Sequence, residues 1–157
     1  MNPAAILLAI ALAGCAVGTP PVETASKGTK EMHEAKGTFT VAMTPEVQGG
    51  VSRMALAKTF EGGMKGTSTG TMLSAGNPAS GSAGYVAIEA FTGTLDGRPG
   101  GFALQHSGTM DAGSQALSIA IVPGSGTGAL VGLSGAMEIA IAGGVHSYTL
   151  RYRLLSR

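Results

Sequence analysis

Ala83-Gly84-Tyr85-Val86-Ala87-Ile88-Glu89-Ala90-Phe91-Thr92-Gly93-Thr94-Leu95-Asp96-Gly97 is the stretch that decides how this chain folds. Tyr85, Ala87, Glu89 and Phe91 fall on one side of an extended backbone and Val86, Ile88 and Ala90 on the other, the period of two that a β-strand imposes. Asp96-Gly97 is a strong signal for a two-residue hairpin turn, whose central residues need positive φ. The returning segment carries Phe102, Leu104, His106 and Met110 in one phase, so the two runs read as an antiparallel pair with one apolar face.

The same alternation recurs on both sides. From Thr38 to Thr44 the large apolar residues take the odd positions and the threonines and Ala42 the even ones. After a loop from Pro45 to Gly50, Met54, Leu56 and Phe60 continue the pattern up to a turn or bulge at Glu61-Gly62-Gly63. Thr67, Thr69 and Thr71 line one side of the next strand, which ends between Ser74 and Ser82 around Asn77-Pro78. Leu117, Ile119 and Ile121 mark a strand closed by Pro123-Gly124. Met137, Ile139 and Ile141 mark another, and beyond Gly143-Gly144 the last strand carries Tyr148, Leu150, Tyr152 and Leu154. Short strands, short turns and no long helix predict an all-β domain, an eight-stranded antiparallel up-and-down barrel, because closure removes the exposed edges of an open sheet. Glycines inside the strands fit the tight bends of a small barrel.

The N-terminal segment has a different character. Ala4 to Leu12 is an apolar run, far short of the ~20 residues that span a bilayer as a helix, and it ends at Leu12-Ala13-Gly14-Cys15. That is the pattern of a bacterial lipoprotein signal, although Met1-Asn2-Pro3 lacks the usual basic residue. The reading assigns residues 1–14 to a signal peptide, acylation to Cys15, a disordered tether to 15–35 and the barrel domain to 36–157. A short helix around Lys30 to Lys36 fits between Gly28 and Gly37. Ala16 is not the Asp that retains lipoproteins at the inner membrane, so the expected location is the cell envelope, lipid-anchored at the outer membrane and facing the periplasm.

Composition narrows the function. A net charge of +1, with 12% charged residues and no basic stripe, argues against nucleic acid as a partner. The three histidines have no metal-ligand spacing and the sole cysteine is expected to be acylated, so neither metal nor cofactor is expected. Gly126-Thr127-Gly128 running to Gly135 lacks the following helix and the lysine of a phosphate loop, and reads as a structural hairpin motif. Ser107 and His106 are strand neighbours on opposite faces, with no nucleophile-elbow context.

In so uncharged a barrel, an ionisable residue in an apolar phase is the informative feature, because an unpaired buried charge costs several kcal/mol. Glu89 and His106 are such residues. With Glu61 and Gln105 they form the candidate ligand-binding set at one barrel mouth. The sequence does not fix the register across Asp96-Gly97, and a longer loop is the expected means of bringing His106 level with Glu89.

Several strings carry a family resemblance: Lys58-Thr59-Phe60-Glu61-Gly62, Met72-Leu73-Ser74-Ala75-Gly76, Gly81-Ser82-Ala83-Gly84-Tyr85-Val86-Ala87 and Gln105-His106-Ser107-Gly108-Thr109-Met110. From about Gly37 onward the chain resembles a bacterial family of unknown function, numbered 3224 among such families. The resemblance implies an eight-stranded barrel similar to that of allene oxide cyclase, and no settled reaction. The expected function is a lipid-anchored envelope protein whose barrel binds an apolar or amphipathic small molecule. The alternatives are a cofactor-free isomerase or cyclase, and a filled structural barrel that forms homo-oligomers through outer residues such as Val86 and Ile88.

Overall fold

Alternating runs joined by tight turns make one meander. In the computed structural model, residues 31–47 and 51–155 are described; the signal segment, Cys15 and the tether up to residue 30 lie outside the described residues. The strands are β1 (His33–Val47), β2 (Ser52–Gly62), β3 (Met64–Asn77), β4 (Ser82–Leu95), β5 (Arg98–Asp111), β6 (Ser114–Ile121), β7 (Ser134–Ala142) and β8 (Val145–Arg153). Each pairs antiparallel with the next and β8 returns to β1, so the sheet closes into the expected eight-stranded barrel.

Two local expectations are corrected. The strand starts at His33, inside the segment read as tether and helix, because β8 offers it partners: His33 lies opposite Tyr152 and Ala35 opposite Leu150. Ala35 is buried, and the His33 ring stacks on Tyr152 with centroids 5.2 Å apart. The loop expected from Pro45 begins later, since β1 runs to Val47. The register slips between Pro45 and Val47, where proline has no N–H to give the ladder.

One end of the barrel is plugged. Phe60 and Phe91 meet edge to face and Phe91 lies 5.1 Å from Phe102, with Met64, Leu95 and Tyr152 packed around them. The segment between β6 and β7 folds over this end and inserts Leu130 and Leu133, both buried. Thr127 N–H donates to the Gly101 carbonyl (2.8 Å), Gly101 N–H to Thr127 Oγ1 (2.9 Å) and Ala103 N–H to Ser125 Oγ (3.0 Å). The glycine motif is therefore more than a hairpin: it lets the backbone close down on β5 and stopper the barrel. Tyr152 donates to Asp96 (2.7 Å) at the same end, and burial together with that carboxylate pushes its phenol up to about 12.

Each of the three tyrosines stands opposite a glycine on the neighbouring strand: Tyr85 opposite Gly108, Tyr148 opposite Gly37, Tyr152 opposite Gly135. A Cβ on Gly108 would sit 2.3 Å from the Tyr85 ring, so the ring occupies the space the glycine leaves. This pairing explains why glycine recurs inside strands that are otherwise apolar.

The opposite end is open. β6 and β7 pair only at Ile119–Met137 and Ala120–Ala136, so their remaining lengths splay apart toward this mouth. Chain entry at His33 and exit at Arg153 both lie at the plugged end.

Candidate functional site

Between plug and mouth, four consecutive strands each turn one polar side chain inward. Lys58 on β2, Ser68 on β3, Glu89 on β4 and His106 on β5 are all buried, Glu89 completely. Lys58 Nζ donates to Glu89 Oε2 at 2.6 Å and Ser68 Oγ donates to Oε1. The ammonium also lies 5.0 Å from the Phe39 ring centroid, so its outer surface is covered by an aromatic face. Gly70 makes room, because a Cβ there would lie 3.2 Å from that of Glu89.

His106 joins the group without a longer loop. The turn at Asp96-Gly97 is the tight one, pairing Leu95 with Arg98, which sets Glu89 opposite Leu104 and His106 opposite Ala87. The imidazole therefore approaches diagonally, with Nε2 3.1 Å from Glu89 Oε2. That approach is off the line of a hydrogen bond, and among the described residues Nε2 has no hydrogen-bonding partner.

Burial alone would push the Glu89 carboxyl up. The nearby His106 imidazole, the Lys58 charge and the hydrogen bonds from Lys58 and Ser68 outweigh it and hold the group down to about 2. Stabilisation from a lowered carboxyl is complete above its unfolded value and lost as pH falls through the folded one. The barrel should lose on the order of 3 kcal/mol between about pH 4.5 and pH 2 from this group alone. Denaturant melts across that range would measure it, and Glu89→Gln should flatten the dependence.

The mouth begins one layer above. Tyr85, next inward after Ala87, forms part of the wall of a cavity of about 430 Å³ with Met43, Met54, Met72, Met110 and Leu117. Burial first, then the Glu89 charge, raises the Tyr85 phenol, so it stays neutral between the apolar mouth and the charged layer.

Of the four residues named from sequence, the structure brings Glu89 and His106 together and leaves the other two out. Glu61 and Gln105 are exposed and point outward, because each sits one position out of phase with an inward neighbour, Phe60 and His106 respectively. Sequence reasoning missed Lys58 and Ser68. Lys58 had a readable signal, sharing its phase with Met54, Leu56 and Phe60. Ser68 had almost none, since a serine between Gly66 and Gly70 does not mark an inward face. Among the described residues no three His, Cys, Asp or Glu side chains are grouped to hold a metal ion.

A Glu89 held at about 2 is a weak base at neutral pH, so the quartet suits fixed electrostatics better than proton abstraction. Comparison with known proteins agrees on the fold and is silent on chemistry. A search of curated proteins finds no match. A crystal structure of a protein with unknown function from the DUF3224 family of Shewanella oneidensis MR-1 superposes with a TM-score of 0.75 at 46% identity, covering 81% of this chain and 100% of that one. The family model described as protein of unknown function (DUF3224) matches residues 35–152. The span of that match takes in every strand of the barrel except the ends of β1 and β8, and the chain belongs to the DUF3224 family.

Proposed function

We propose that the protein is a lipid-anchored envelope protein, held through Cys15 at the outer membrane and facing the periplasm, whose barrel takes one apolar or amphipathic small molecule into its open mouth. The observation that carries the binding reading is the mouth cavity: about 430 Å³, within the usual range for small-ligand sites, and walled by four methionines with Tyr85 and Leu117. Unbranched thioether side chains re-pack around different shapes, which suits a pocket of broad apolar specificity. The anchor reading rests on Leu12-Ala13-Gly14-Cys15 following the apolar run.

One preparation tests both parts. The full chain, expressed with a labelled fatty acid and extracted in detergent, should carry label that Cys15→Ser abolishes. Native mass spectrometry of the same material should show one co-purifying or added apolar molecule per chain. Leu117 is half exposed on the rim, so Leu117→Glu should leave the fold intact while weakening that binding at least about tenfold. A chain that stays empty when offered lipid and metabolite extracts rules out the binding reading.

A further inference from the structure

The open mouth gathers sulfur. Met43 from β1, Met54 from β2, Met72 from β3 and Met110 from β5 line the one cavity. Met54 and Met72 are direct cross-strand partners, which places their Cβ atoms about 4.5–5.5 Å apart. Met43 lies opposite Leu56 and therefore diagonal to Met54, about 7–8 Å away between backbones and within reach of long side chains. With three rotatable bonds each, these three can turn their sulfurs to a common point. Among the described residues no carboxylate, imidazole or lysine lines the cavity; its side-chain oxygens, on Ser74, Tyr85, Thr109 and Gln115, are neutral, whereas hard divalent cations are held chiefly by carboxylates.

The exposure of one member is the second observation. Met43 is 56% exposed at the rim, where an apolar side chain gains little from burial and a thioether remains free to turn toward a ligand. Thioether donors without charged oxygens select soft, monovalent, thiophilic ions over Zn²⁺, Mg²⁺ or Ca²⁺. We infer that Met43, Met54 and Met72 form a three-thioether site for Cu(I) at the barrel mouth, with Met110 facing it across the cavity. The expectation of no metal site was drawn from histidine and cysteine spacing, and thioethers brought together by cross-strand pairing leave no such mark in the sequence. This inference does not depend on the apolar-ligand reading.

The test uses the full chain carrying Cys15→Ser, so that its only thiol is removed, with methionine methyls labelled with ¹³C. Ag(I) serves as a redox-stable probe, and Cu(I) is then titrated without oxygen against a chromogenic chelator. One ion per chain should bind, shifting the methyl signals of Met43, Met54 and Met72 together while those of buried Met64 and Met137 stay in place. Met54→Leu with Met72→Leu preserves volume and apolar character, so it should lower ion affinity by about 100-fold while the denaturant midpoint stays close to the parent's. Absence of a stoichiometric shift at the mouth methionines, or ion affinity unchanged in the leucine variant, overturns the site. A parent chain that binds the ion and takes up no apolar molecule would instead overturn the small-molecule reading alone.

Discussion

Replacing Glu89 by leucine should destabilise the barrel by about 3–5 kcal/mol, because it leaves the Lys58 ammonium buried without its counter-charge. Lys58→Met should cost a similar amount by stranding the carboxylate. Made together, the two substitutions should nearly cancel, since replacing a buried ion pair by apolar side chains of similar size is often neutral or even stabilising by about 1–4 kcal/mol. Thermal melts would show each single variant lowered by roughly 10–20 °C and the double variant close to the parent. Equal and additive losses in the cycle would mean that the two groups do not act on each other, against the 2.6 Å contact. Ser68 and His106 remain beside an uncharged pair in the double variant, and the unmet Nε2 of His106 then has a leucine for a neighbour. Any residual cost in the double variant measures that desolvated serine and histidine.

Gly37→Ala should be the second severe change. A Cβ at this position would stand 1.9 Å from the Glu61 carbonyl oxygen and 2.7 Å from Tyr148 Oη. The first contact is with backbone, so β1 and β2 would have to part where Gly37 faces Gly62. Parting them would also disturb Tyr148, whose hydroxyl accepts the Met64 N–H at 2.7 Å. Overpacking with no flexible neighbour to yield should cost about 3 kcal/mol or more. Gly84→Ala is the matched control, because its nearest contact would be an ordinary 3.7 Å and its effect should stay within about 0.5 kcal/mol. Denaturant midpoints for the two variants give the comparison directly.

Much of this architecture is legible in the chain, and the parts that are not share a physical reason. Alternation over Tyr85 to Phe91 gives the inward face of β4 because period two is a local property, and Asp96-Gly97 gives the hairpin because turn chemistry is local too. The Lys58–Ser68–Glu89–His106 quartet is not local. It joins strands separated by up to 48 positions, and its geometry depends on a register that one residue of slippage would invert. Glu61 and Gln105 illustrate that sensitivity, each lying next to an inward residue and pointing out. The start at His33 was hidden because its partner strand is the last in the chain. The stopper formed by Leu130 and Leu133 was hidden because a loop's tertiary contacts leave no periodic trace.

Because both ends of the described chain emerge beside the stopper, the barrel is a cup held by its base. Whatever is joined directly to the His33 end of β1 or the Arg153 end of β8 starts at the base, on the side away from the rim. The methionine-lined opening is thus framed by mid-chain connections, and neither end of the described chain crosses it.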